Sequence, residues 1–234
     1  MMELPKGGEM FYAFLQALLL PVAKLLFRLR VEGAENIPTT GGVILAANHV
    51  SFADPLILGL AVRRPLYFVA KEELFRHRVF AWLIRSLNAF PVGREQRSAA
   101  ALKKTLALLK AGEPVVIFPE GTRGDGLTFG EPKPGIGLVA KKSGAPVIPV
   151  YHQGAEKILP RGTVFPRIHP VVVCFGRPIH FPAGSREGRE ALDLFGQRVM
   201  GAIASLKETL ERRKGVCNSS PNETTVGGAT ADVF

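Results

Sequence analysis

Cysteine is nearly missing from this chain of 234 residues, which has 2. Cys174 sits in an apolar run and Cys217 in a polar tail, and neither has the neighbours that a metal or redox pair needs. A disulfide framework is thereby excluded, and both are read as reduced thiols in a cytosolic compartment. The 5 histidines, His49, His77, His152, His169 and His180, are dispersed, with no two as helix neighbours, so no metal site is expected. Also lacking is an apolar run of the roughly twenty residues needed to span a bilayer. No sequence repeat is present.

Acidic residues are scarce in one stretch. Between Ala61 and Lys110 there are eleven Lys or Arg against three Glu and no Asp. Much of the formal charge of +10 is concentrated there, and the isoelectric point is about 9.9. A surface of this kind seeks phosphates, on nucleic acid, lipid or a small substrate. The basic residues come with no aromatic platform and no recognised nucleic-acid motif, so no nucleic-acid partner is expected and an anionic membrane surface is. With 47% apolar residues the chain can fill one substantial core.

An uncharged, largely apolar segment, Met10 to Ala23, reads MFYAFLQALLLPVA and continues into KLLFRLRVEG. Its length suits an interfacial helix or a core helix better than a spanning one. Pro21 is expected to kink it or to start a second helix. The expected arrangement is a helix or bent pair over residues 1–30 lying in the membrane interface, with Lys24, Arg28 and Arg30 reaching the head groups.

Beyond it, short apolar runs alternate with longer stretches of helical spacing. Strands are expected at Val43–Ala47, Leu66–Ala70, Val115–Phe118, Val147–Val150 and Val171–Phe175, with an extended piece at Phe90–Val92. Helices are expected near Pro55–Val62, Glu72–Leu87, Ser98–Lys110, Gly135–Lys142 and Arg189–Arg213. Such alternation implies an α/β fold, a largely parallel central sheet flanked by helices, over residues 31–213. The polar residues 214–234 read as a disordered tail. In a sheet of this class the ligand sits beyond the carboxyl ends of the strands. The loops there carry His49 and Asp54, then Arg94, then Glu120 to Arg123.

Two readings of Asn48-His49-Val50-Ser51-Phe52-Ala53-Asp54-Pro55 stay open from spacing alone. Asp before Pro is a favoured helix opening, with the Asp as N-cap. Alternatively, Asp54 orients the His49 imidazole as a general base. Ser51 is placed to brace the loop rather than to act as nucleophile; the nucleophile would then be a substrate hydroxyl that His49 activates. In Phe118-Pro119-Glu120-Gly121-Thr122-Arg123, Gly121 permits a left-handed turn, Thr122 offers a hydroxyl, and Arg123 can grip a phosphate with two prongs. Lys133, before Pro134-Gly135-Ile136-Gly137, and Arg94 add further cations. The same turn with a solvated Arg123 is the plainer alternative.

Taken in order, Asn48-His49-x-Ser51-x-x-Asp54, Arg94, Phe118-Pro119-Glu120-Gly121-Thr122-Arg123 and Val147-Ile148-Pro149-Val150 resemble the four sequence blocks of the glycerolipid acyltransferases, most closely those acting on 1-acylglycerol 3-phosphate. The likeness spans about Val31 to Pro178, and the amino-terminal helix is similar to that family's membrane segment. Gly93 before Arg94 departs from the bulky apolar run usual there. The resemblance implies acyl transfer from a thioester, acyl-CoA or acyl carrier protein (acyl-ACP), to the sn-2 hydroxyl of lysophosphatidic acid, giving phosphatidic acid. It implies His49 as base with Asp54 as its partner. Arg94, Glu120, Gly121, Thr122, Arg123 and Lys133 would surround the glycerol phosphate. The thioester is a co-substrate and no cofactor is implied. The expected location is the cytoplasmic face of the inner membrane. Another acceptor, such as glycerol 3-phosphate, a different lysophospholipid or an aminolipid, is the nearest alternative; a decayed, non-catalytic relative is a more distant one.

Overall fold

The computed structural model describes residues 7–71, 75, 81, 84–85, 88–92, 99–126, 128–160, 162–163, 165–184 and 188–218. Helix α1, Gly7–Leu26, leads into strand β1, Arg30–Glu32, and then β2, Val43–Ala47. Next come α2 (Asp54–Ala61), β3 (Tyr67–Lys71), β4 (Ala89–Val92), α3 (Ala99–Lys110) and β5 (Pro114–Ile117). The rest is α4 (Gly135–Ser143), β6 (Val147–Gln153), α5 (Ala155–Ile158), β7 (Val172–Phe175) and α6 (Arg189–Asn218).

The seven strands form one sheet in the order β1-β7-β6-β2-β5-β3-β4. Every pairing is parallel except β6 with β7. β2 lies between β5 and β6, pairing Leu45 with Val116 on one side and with Ile148 on the other. All five of its residues are buried, which explains why the strand reads as a plain apolar run rather than an alternating one. Leu45, Ala47, Ile148 and Val150 face a core closed by Ile57 and Leu58 of α2 and Ala23 of α1. Ile44, Ala46, Val115 and Val147 face a second core closed by Ile136 and Val139 of α4 and Phe195, Val199 and Ile203 of α6. From β5 to β6 the chain crosses to the far side of β2, and beside such a reversal the strand ends leave room for a ligand.

Three expectations are adjusted. The helix runs through Pro21 in one piece, and no second helix begins there. Pro21 and Ala17 are exposed, so water can reach the carbonyl that a proline leaves unpaired one turn back. β1 joins the sheet edge beside β7, three residues too short to announce itself by periodicity. α6 continues to Asn218, past the expected start of the tail, and residues 219–234 lie outside the described residues. So do most of the Glu72–Leu87 helix and residues 93–98, which include Arg94.

α1 rests on α2. The Tyr12 hydroxyl and the Gln16 amide both donate to the Gly59 carbonyl, at 3.2 and 2.9 Å, and Gln16 also donates to the Val62 carbonyl at 2.6 Å. These bonds fill carbonyls that the end of α2 leaves open. The opposite face of α1 presents Phe14, Leu18, Val22 and Leu25, exposed at 64, 56, 43 and 78%. Among the described residues no helix is long and apolar enough to cross a membrane.

Candidate active site

The loop between β2 and α2 separates the two readings of Asp54. Its carboxylate does not cap the amides that follow; α2 has no side-chain N-cap bond. It turns back instead, and Oδ2 accepts from the backbone N–H groups of Val50 and Ser51 at 2.8 and 3.0 Å. The same oxygen lies 2.7 Å from His49 Nδ1. A carboxylate can only accept, so Nδ1 carries the ring proton and Nε2 keeps its lone pair. The His49 side chain is 20% exposed and that of Asp54 is 0% exposed. One ring edge is thus anchored to a buried carboxylate while the residue keeps some access to solvent.

Other bonds hold His49 in place. Its ring stacks on Phe118, with centroids 4.1 Å apart and planes 20° from parallel. Its N–H donates to Glu120 Oε1 at 3.2 Å, and its carbonyl accepts from Gly124 N–H at 2.7 Å. The loop after β5 therefore clasps the histidine from both backbone sides. Ser51 is buried; its Oγ donates to the Leu159 carbonyl at 3.1 Å and accepts from Ala53 N–H at 3.2 Å, the bracing role its position suggests. Cys174 is no better placed for nucleophilic attack, because burial foremost, with the Glu32 carboxylate adding, pushes its thiol up to about 11.

The loop after β5 supplies the remaining candidates. Glu120 is buried, and its second oxygen accepts from Gly130 N–H at 2.8 Å. The carboxylate expected at the acceptor thus ties three loop segments together through backbone amides. Gly121 has φ 69°, the left-handed turn read from the sequence, and a Cβ there would meet Lys133 Cγ at 3.3 Å. Lys133 N–H donates to the Pro119 carbonyl at 2.8 Å, so that lysine is brought to the same turn. Thr122 and Lys133 are exposed. The Arg123 guanidinium lies 3.6 Å from the centre of the Phe52 ring. His49, Asp54, Glu120, Gly121, Thr122, Arg123 and Lys133 are thus gathered on the facing loops of two adjacent strands.

Two residues of this cluster were not singled out by sequence reasoning. Phe52, in the histidine loop, is the surface on which Arg123 rests. His152, in β6, is 1% exposed and lies behind the pair: its Nε2 donates to the Asn48 carbonyl at 2.8 Å and is 3.8 Å from Asp54 Oδ2. The Asn48 amide in turn donates to the His152 carbonyl at 3.0 Å and accepts from the His152 N–H at 2.9 Å, prolonging the β2–β6 ladder. The β2–β6 register would have brought His152 to notice, since Ala47 pairs with Val150 and the next positions run on in step. No cluster of three or more His, Cys, Asp or Glu able to hold a metal occurs among the described residues.

An imidazole hydrogen-bonded to a buried carboxylate, beside a loop carrying cations, is an arrangement that can take a proton from a hydroxyl next to an anionic group. Comparison with known proteins bears on the family. The Acyltransferase family profile matches residues 28–153. A 1-acyl-sn-glycerol-3-phosphate acyltransferase of Streptococcus pneumoniae is 30% identical over 210 residues, covering 87% of this chain and 75% of that protein. The Bacillus subtilis protein of the same name is 29% identical over 171 residues, covering 72 and 82%. The crystal structure of the 1-acyl-sn-glycerophosphate acyltransferase PlsC from Thermotoga maritima superposes with a TM-score of 0.64 at 29% identity, covering 87% of each chain. With the profile spanning more than half the sequence and the Streptococcus relative matched over most of it, the chain belongs to the acyltransferase family.

Proposed function

We propose that this acyltransferase moves a fatty acyl group from a thioester, acyl-CoA or acyl-ACP, to the sn-2 hydroxyl of lysophosphatidic acid, forming phosphatidic acid. His49 Nε2 takes the hydroxyl proton as the alkoxide oxygen attacks the thioester carbonyl. Asp54 holds the ring in the required tautomer and stabilises the imidazolium. Collapse of the tetrahedral intermediate breaks the C–S bond, and the thiol leaves with the proton returned from Nε2. Base assistance of this kind contributes on the order of a hundred- to ten-thousandfold. The observation that carries the reading is the 2.7 Å contact between His49 Nδ1 and Asp54 Oδ2, with the second ring nitrogen left to the substrate.

Arg123, Thr122 and Lys133, with the backbone at Gly121, hold the acceptor's phosphate; Glu120 acts by bracing the loops. Arg94 belongs with them on the resemblance of its sequence block. The acceptor is the substrate named for both bacterial relatives. No resident cofactor enters the scheme. The exposed stripe of α1 rests in the acyl layer at the cytoplasmic face of the inner membrane, and nearby Lys and Arg contribute about 1 kcal/mol each toward an anionic leaflet. Thioester consumption with lysophosphatidic acid, glycerol 3-phosphate or no acceptor tests the assignment. Turnover is expected with lysophosphatidic acid; preference for glycerol 3-phosphate, or equal thiol release without acceptor, contradicts it.

A further inference from the structure

Beyond the carboxyl end of β6 lies a cavity of about 290 Å³ that the acyl-transfer scheme does not use. Arg28, Arg30, Gln153, Lys157, His169 and Lys214 line it, and among the described residues no carboxylate does. These residues converge from the turn after α1, from β1, β6 and α5, from the segment before β7, and from α6. Of the acidic side chains on these elements, Glu156 accepts from Gly154 N–H at 2.9 Å, and Glu32 pairs with Arg213 at 2.8 Å. Four full cations around one cavity repel one another, a cost that a bound anion would relieve.

The walls are organised. Lys214 Nζ donates to Gln153 Oε1 at 2.6 Å, and His169 Nδ1 donates to the Pro170 carbonyl at 2.8 Å, fixing both side chains at the rim. Arg28 has φ 43°, a left-handed conformation that a non-glycine residue adopts only when its surroundings hold it. It is held there by bonds on either side, Val171 N–H to the Phe27 carbonyl and Arg30 N–H to the Val171 carbonyl, both 2.9 Å. Leu25 and Leu26, exposed at 78 and 40%, directly precede this turn, so apolar surface passes into cationic cavity within three residues. The volume, at the small end of the range for ligand pockets, suits a head group rather than an acyl chain.

We propose that this cavity is a phosphoryl-anion site separate from the catalytic loops, taking the phosphate of an anionic lipid head group or of a soluble phosphate compound. Its existence does not depend on the acyl-transfer reading; only the lipid source draws on the interfacial placement of α1. The test follows the His169 ring signals by NMR, assigned with His169→Gln, during titration with inorganic pyrophosphate and with water-soluble dihexanoyl phosphatidic acid. Wild type is compared with Arg30→Gln/Lys157→Gln and with Lys141→Gln/Lys142→Gln, which removes equal charge from α4. Saturable shifts are expected in wild type and in the α4 variant, with affinity about tenfold or more weaker in the cavity variant. Tighter binding of phosphatidic acid identifies a lipid head group, and tighter binding of pyrophosphate a soluble phosphate. Immobile His169 signals with both probes, or equal weakening in both variants, overturns the proposal.

Discussion

Asp54 gathers three donors on one buried oxygen, and that concentration explains how a residue at a helix start can orient the His49 imidazole. Val50 and Ser51 fix where Oδ2 sits, and Oδ2 fixes the imidazole. Asp54→Asn preserves shape but removes the charge that favours Nδ1–H and stabilises the imidazolium. We expect kcat to fall by roughly 10³- to 10⁴-fold. Thermal unfolding should register a loss of about 1–3 kcal/mol as the backbone donors lose their charged acceptor. Steady-state kinetics beside calorimetry separates the two effects. Phe52 makes a different contribution: its ring supports Arg123, so Phe52→Ala should raise the KM for lysophosphatidic acid about fivefold with kcat nearly retained, and Phe52→Tyr should restore it. A fall in kcat with unchanged KM would place Phe52 in the chemical step instead.

Among the elements, α1 has two faces of different character. One, through Tyr12, Gln16 and Ala23, is fastened to α2 and the core beneath it. The other offers Phe14, Leu18, Val22 and Leu25 to the surroundings along one side of the cylinder. A charge on the second face should leave the fold alone and weaken membrane attachment. Leu18→Glu with Leu25→Glu should move the protein from sedimenting vesicles into the supernatant while its unfolding temperature stays within a few degrees of wild type. Undiminished sedimentation would show that the stripe is not the attachment surface. α2 is the joint between this helix and the His49 loop, since it opens at Asp54 and ends under Gln16.

For the whole molecule, the sheet order brings the loops after β2 and β5 together, and the same order sets the limits of what the sequence could tell. The apolar run of β2 and the motif that follows it are local patterns, so strand and loop are legible from residue types, while the spacing of His49 and Asp54 leaves pairing and helix capping both open until the loop geometry separates them. The bracing of His49 by Glu120 is not legible in this way, because the two residues are distant in sequence and meet only once β2 and β5 are neighbours. The position of His152 and the antiparallel entry of β7 likewise depend on strand register, which periodicity does not reveal. Pro21 starts no second helix for a simpler reason: an exposed helix face tolerates the missing bond. The central claim, that the His49 imidazole removes the acceptor's hydroxyl proton, is tested most directly by single-turnover thiol release from an acyl thioester in the presence of lysophosphatidic acid. His49→Ala with an unfolding curve like wild type should release thiol roughly 10²- to 10⁴-fold more slowly; release within a few-fold of wild type would contradict the account.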